Sequence, residues 1–189
     1  MTNVAARPYV FLDRDGTLLE EREYAYLPAD YAPLAGAHRA VARLRAAGFG
    51  IVVITNQSGI GRGIFSAVDY AAFEALLASD FAAHGAEIDG CYHCPHAPAD
   101  ACDCRKPGTA LALRAAREHG IDLARSWVIG DKDSDVALAR NLGCRAVLVL
   151  TGHGAEHVGR VPAGTRIARD LPDAISRYVL ASALPQRER

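Results

Sequence analysis

The sequence predicts an α/β fold: a doubly wound, mostly parallel sheet with helices on both faces. Three observations carry this expectation. Short apolar or β-branched runs recur along the chain. Segments of about ten to eighteen residues with helical spacing separate them, the pattern of βαβ crossovers. Polar and reactive residues gather at the C-terminal ends of the apolar runs, where open parallel sheets bind ligands.

Taken in order, "YVFLD" (9–13) reads as a buried strand with an acidic end. In 36–50, Ala37, Val41 and Leu44 fall on one helical face and a Gly-x-Gly pair stops the helix. "IVVITN" (51–56) is β-branched and reads as a buried strand. The helix over 66–85 opens with Ser66 and Asp69, spaced as in a capping box, and Phe73, Leu77 and Phe81 stripe one face. "IDGCYHC" (88–94) is a weaker strand. Pro107 suits a helical first turn, so a helix is expected from there to about His119, ending at Gly120. A strand over 126–131, a short helix over 134–143 and a strand over 145–152 follow. An edge strand over 165–171 and a closing helix over 172–182 end the fold, with "LPQRER" (184–189) frayed.

The 189 residues are read as one domain, with the chemical motifs in 9–152 and the edge strand and helix in 153–184. Half the residues are hydrophobic and 23% are charged, as in ordinary soluble domains. The formal net charge of −1 and the lack of a basic, aromatic-lined stripe argue against a nucleic-acid partner. The apolar runs are too short to span a membrane. "MTNVAARPYV" holds no signal-like apolar stretch, so a cytoplasmic address is expected. Four of the five cysteines fall within fourteen residues, which in a reducing compartment argues for metal over disulfides.

Five constellations carry chemistry. In Asp13-x-Asp15-Gly16-Thr17 the two carboxylates, two apart on an extended chain, are expected to face one spot. Like charges held that close need a cation. Magnesium answers this with oxygen ligands, leaving one aspartate as a nucleophile and the other to trade a proton. The bland alternative is an acidic turn. Thr55-Asn56-Gln57-Ser58-Gly59 ends a strand in a glycine-rich turn, which either caps the strand or cradles phosphate with its N–H groups. Arg105-Lys106-Pro107 puts two cations before an expected helix start, either solvated or meeting an anion. In Gly130-Asp131-Lys132-Asp133-x-Asp135, Asp131 is placed as a further magnesium ligand. Asp133 is a possible helix cap, and Asp135 braces the loop or touches the metal's water shell. Finally Cys94, His96, Cys102 and Cys104 can close a tetrahedral, structural zinc site. His93 is expected to face away from His96, and Cys91, inside a strand, makes a poor redox partner for Cys94.

The motifs "DRDGT", "TNQSG", "RKP" and "GDKDSD" occur in the order found in the haloacid dehalogenase superfamily of phosphatases, which residues 9–152 resemble. The resemblance implies a Rossmann-like sheet of strand order 5-4-1-2-3. The "CPH…CDCRKP" loop is similar to that of a branch without a large cap domain. Two groups of that branch carry it: the D-glycero-D-manno-heptose 1,7-bisphosphate 7-phosphatases and the histidinol-phosphate phosphatases. "TNQSGIGRGIF" and "GDKDSD" resemble the heptose group, while the histidinol group tends to show "NQDG" and "GDR". "RKPGTAL" stands where the heptose group has the longer "RKPHPGM".

By motif position, Asp13 resembles the nucleophile and Asp15 the general acid/base. Asp13, the backbone carbonyl of Asp15 and Asp131 resemble the Mg²⁺ ligands, and Thr55 and Lys106 the phosphoryl stabilisers. Asn56, Gln57, Ser58, Arg105 and Lys132 resemble substrate contacts. Glu21, Arg22, Glu23 and Tyr24 occupy the place of a substrate-recognition loop. The rim cations Arg62, Arg105, Lys106 and Lys132 exceed what one phosphate needs, which implies a second anionic group on a small phosphorylated sugar. The resemblance thus implies a Mg²⁺-dependent, zinc-stabilised, monomeric sugar bisphosphate phosphatase. A histidinol-phosphate phosphatase, or another small sugar-phosphate phosphatase, is the alternative. A phospho-acceptor signalling domain fits poorly, because its accepting aspartate would end the third strand, near Cys94, where none stands.

Overall fold

The computed structural model describes residues 6–183; the fraying expected over 184–189 and residue 184 of the closing segment lie outside them. Six strands form one sheet: β1 (Tyr9–Leu12), β2 (Gly50–Asn56), β3 (Gly90–Cys94), β4 (Trp127–Gly130), β5 (Arg145–Val149) and β6 (Arg166–Ala168). Their order is β3-β2-β1-β4-β5-β6 and every pairing is parallel. This is the expected 5-4-1-2-3 arrangement with the edge strand added beyond β5.

Residues alternate between the two faces of a strand, and each face has its own core. Val10, Leu12, Ile51, Val53, Trp127 and Ile129 pack beneath α1 (Ala37–Ala46), α3 (Ala67–Ala83) and α7 (Leu171–Ala174). Tyr9, Phe11, Val52, Ile54 and Val128 pack beneath α4 (Ala110–His119) and α5 (Asp133–Leu142). Both faces being buried explains why the strands read as continuous apolar runs. The α3 capping box forms as expected: Asp69 N–H donates to Ser66 Oγ at 3.1 Å, and Ser66 N–H to Asp69 Oδ2 at 2.8 Å.

The structure departs from the sequence reading in four places. A short helix, α2 (Ser58–Gly61), follows β2 where a glycine-rich turn was expected. Helix α4 starts at Ala110, not Pro107. The chain first makes a tight turn in which Gly108 N–H donates to Arg105 O at 2.7 Å. A side chain at Gly108 would collide with the Asp103 and Arg105 carbonyls. A further helical turn, α6 (Gly154–His157), follows β5. The closing helix continues from α7 through a π-helical stretch, Ile175–Leu180, into α8 (Ala181–Ala183).

The parallel sheet brings the C-terminal ends of β1, β2, β3 and β4 to one rim. Asp13, Thr55-Asn56, Cys94 and Asp131 stand there. No described helix is long and apolar enough to cross a membrane.

Leu77 is fully buried between α3 and the sheet. Leu77→Ala should cost about 2–5 kcal/mol of stability through lost burial and a residual cavity. Guanidinium unfolding, with the slope unchanged, reads this directly.

Candidate active site

Strands β1 and β4 are neighbours, and Asp13 N–H donates to Ile129 O at 3.0 Å. The residues that follow each strand, Asp13 and Asp131, therefore share one end of the sheet. Asp135, in the first turn of α5, completes the group: one oxygen from each of the three lies within 4.8 Å of the others. All three residues are buried. Lys106 reaches in from the loop after β3. Its Nζ lies 2.8 Å from Asp13 Oδ1 and 2.6 Å from Asp135 Oδ1, and donates to Ile54 O at 2.8 Å. Burial opposes the lysine's charge, but Asp13 and Asp135 outweigh it and raise its pKa. Lys106, with Lys132 further off beside Asp131, does not balance three carboxylates. Burial, with Asp13 next, pushes Asp131 up to about 7.

Asp131 Oδ2 accepts His153 N–H at 2.8 Å, while Asp131 Oδ1 is buried without a hydrogen-bond partner. A Cβ on Gly16 or Gly152 would strike Asp131 Oδ2, and both glycines have positive φ. An orphaned buried carboxylate oxygen among like charges suits a hard divalent cation such as Mg²⁺. Asp135 also braces its loop, since Oδ2 accepts Lys132 N–H at 3.1 Å.

Asp15 does not belong to the cluster of Asp13, Asp131 and Asp135. Strand β1 ends at Leu12, so the two-residue repeat does not extend to Asp15. Its carboxylate instead meets Arg14 Nε at 3.0 and 3.1 Å, and accepts Gln57 Nε2 at 2.9 Å. The third side chain of the acid cluster is Asp135. Arg14 itself, 1% exposed, lies over the Phe73 ring at 4.9 Å. Its Nη2 donates to Gln57 Oε1 at 3.2 Å and to Ala25 O at 2.9 Å. Gln57 Nε2 also donates to Thr55 Oγ1 at 2.8 Å. One buried guanidinium thus ties Asp15, the end of β2 and the 21–26 segment together. That segment is closed at its base by Glu20 N–H to Ala32 O at 2.8 Å, and Tyr26 stacks on Phe65 at 4.9 Å.

Above these residues lies a cavity of about 260 Å³. Asp13, Thr55 and Lys106 form its floor, and Glu21, Glu23 and Tyr24 contribute one wall. Asn56, Gln57, Ser58, Arg105 and Lys132 complete the predicted residues that line it. Lys132 Nζ pairs with Glu21 Oε2 at 3.1 Å. Asn56 also fixes the backbone of Lys106, with Oδ1 accepting its N–H at 2.9 Å and Nδ2 donating to its carbonyl at 3.4 Å.

The cysteine loop closes as the spacing predicts. Cys94, His96, Cys102 and Cys104 converge, with Sγ–Sγ separations of 3.2 to 3.5 Å and His96 Nδ1 at 3.2 Å from Cys104 Sγ and 3.6 Å from Cys94 Sγ. Thiolates on a tetrahedral zinc lie about 3.8 Å apart, given Zn–S near 2.3 Å, so the donor set can hold that ion. Arg105 Nη1 donates to His96 O at 3.5 Å, joining this loop to the cavity wall. His93 points to the other face of β3 and packs on Tyr70 at 4.1 Å. Burial pushes the thiols of Cys91 and Cys144, both outside the cluster, up to about 12.

The HAD-hydrolase-like family model matches residues 103–174. The D-glycero-beta-D-manno-heptose-1,7-bisphosphate 7-phosphatase of Pseudomonas aeruginosa is 38% identical over 183 residues, covering 96% of this chain and 99% of that protein. The chain belongs to the D-glycero-D-manno-heptose 1,7-bisphosphate 7-phosphatase family, within the haloacid dehalogenase-like hydrolases. The Escherichia coli member is 38% identical over 77% of this chain and 80% of its own length. In structure the chain is similar to the D,D-heptose 1,7-bisphosphate phosphatase of B. bronchiseptica complexed with magnesium and phosphate. That match has a TM-score of 0.86 and 32% identity, and covers 93% of this chain and 99% of the other. The same enzyme from Burkholderia thailandensis gives a TM-score of 0.71 at 32% identity, covering 92% and 99%.

Within this family fold, three of the predicted basic residues stand as follows. Arg62 is exposed and Arg22 pairs with Glu20 at 3.6 Å; neither lines the cavity. Lys106 does not meet an anion at a helix start, because α4 begins later and the lysine is engaged by Asp13 and Asp135. The inference from four free rim cations therefore does not stand on charge counting. Conversely, Arg14 and Ser134, which lines the cavity, were not singled out from the sequence.

Lys106→Met leaves three buried carboxylates without their counter-charge. In magnesium-free buffer it should lose about 3–5 kcal/mol of stability. Adding Asp135→Asn to that variant should recover part of the loss in the same denaturant titration.

Proposed function

We propose that the protein is a magnesium-dependent phosphatase that removes the 7-phosphate of D-glycero-D-manno-heptose 1,7-bisphosphate through an aspartyl-phosphate. The observation that carries the reaction class is Asp13, held at a strand end on the cavity floor between Lys106 and Asp131. The substrate follows from the family, whose relatives bear that name along nearly the whole chain.

Asp13 Oδ1 accepts Arg14 N–H at 2.7 Å and faces Lys106, so Oδ2 keeps its lone pairs for in-line attack on phosphorus. Mg²⁺ fits the orphaned Asp131 oxygen, Asp13 and the backbone carbonyl of Asp15, where it would supply positive charge to the phosphoryl oxygens. Lys106 and the Thr55 hydroxyl stabilise those oxygens as charge develops on them. Asp15 gives its proton to the leaving sugar oxygen, then takes one from the water that cleaves the acyl-phosphate. Arg14 Nε and Gln57 Nε2 hold its carboxylate in place for both steps.

Gln57 and Asn56 act mainly by position, holding Asp15 with Thr55 and the Lys106 backbone respectively. Arg105 and Lys132 are the cavity cations left for a second phosphate, and Glu21, Glu23, Tyr24 and Ser58 face the sugar hydroxyls. Arg22 and Arg62 receive no role at the cavity. The whole reaction is assigned to one domain, with motifs in 9–152 closed by the edge strand and helix of 153–184. The enzyme is read as a monomer. A cytoplasmic setting is proposed with it.

Asp13→Asn should reduce phosphate release below about a thousandth of wild type while melting stays intact. Wild type should release phosphate from the heptose 1,7-bisphosphate far faster than from histidinol phosphate. Near-normal turnover in the variant, or the reverse preference, would overturn the reading.

A further inference from the structure

Three side chains outside the catalytic cavity converge in a way the proposed reaction does not use. His38 stands in the first turn of α1; Asp80 and His84 lie four residues apart at the C-terminal end of α3. One donor atom from each lies within 4.8 Å of the other two. His38 Nε2 is 2.6 Å from Asp80 Oδ2, and His84 Nδ1 donates to the Asp80 backbone carbonyl at 2.8 Å, which leaves His84 Nε2 as its lone-pair donor. The two imidazole rings face each other at 4.2 Å with an interplanar angle of 30°. A neutral ring keeps one nitrogen as a lone-pair donor.

The surroundings favour a ligand rather than a simple ion pair. Tyr31 O–H donates to Asp80 Oδ2 at 2.6 Å and so fixes the carboxylate, as outer partners of metal ligands do. Phe81 covers His38 at 4.4 Å. The two helices are held by a shared core that includes Val41, Leu44, Leu77 and Phe81. His84 is half exposed, which leaves an entry path. Two imidazoles and one carboxylate suit zinc, cobalt or nickel rather than magnesium or calcium.

We propose that His38, Asp80 and His84 form a second transition-metal site of zinc type, with water completing the coordination. A metal there ties α1 to α3 and, through Tyr31, to the end of the segment that carries the cavity wall.

The test uses the full chain in saturating Mg²⁺, so that the acid cluster is occupied, dialysed against buffered Zn²⁺ and then analysed for metal. Wild type should retain one more zinc per chain than the His38→Gln/His84→Gln double variant, whatever the cysteine loop holds. Zinc should raise the melting temperature of wild type more than that of the variant. With zinc omitted, phosphate release by the two should be equal, which checks that the variant is folded. With Co²⁺ the extra equivalent should lack the thiolate charge-transfer band that a cysteine site shows. Equal zinc content in wild type and variant, or a thiolate band on the extra equivalent, would overturn the site.

Discussion

Three carboxylates and one ammonium share a volume almost closed to water, and the arrangement of the active site follows from that imbalance. Asp13, Asp131 and Asp135 crowd within 4.8 Å; Lys106 contacts two of them, and Lys132 is the further cation that bears on Asp131 and Asp13. Like charges about 4 Å apart repel by about 4 kcal/mol at an effective dielectric near 20. The lysines offset part of this, while burial, with the Asp13 charge next, moves Asp131 up to about 7. A divalent cation removes the remainder. The sheet makes the crowding unavoidable, because β1 and β4 are adjacent and each ends at the same rim.

The rest of the site is arranged to hold this charge centre still. Arg14 links Asp15, Gln57 and the Ala25 carbonyl without meeting solvent. Asn56 grips the backbone of Lys106 on both sides of the residue. The cysteine loop ends one residue before Arg105, so a metal in that loop limits how far Arg105 and Lys106 can move. Such preorganisation is what electrostatic catalysis requires, since donors fixed in place cost nothing to reorient as charge develops.

Much of this was legible in the sequence because it depends on local pattern. The continuous apolar runs of β1 and β2 announce strands buried on both faces, and Ser66 with Asp69 announces the start of α3. The Cys-x-His and Cys-x-Cys spacings suffice to close a donor set. What escaped depends on where strands stop and on partners far along the chain. The two-residue repeat that sets Asp15 beside Asp13 needs strand beyond Leu12, where β1 stops. Arg14 reads as a solvated charge between two acids, and only the fold reveals Phe73 and Ala25 around it. Arg62 looks like a rim cation by its place after a glycine-rich turn, but helix α2 carries it to the surface. Asp135 reads as a brace or as a neighbour of the metal's water shell; it does brace its loop, and its contact with Lys106, twenty-nine residues away in sequence, needs the fold.

The charge imbalance makes a direct demand on magnesium. Isothermal titration of Mg²⁺ into magnesium-free protein at neutral pH, beside Asp131→Asn, tests it. One equivalent should bind wild type, and the heat should vanish in a variant that remains folded. Equal binding to the two proteins, or none to wild type, would contradict the account.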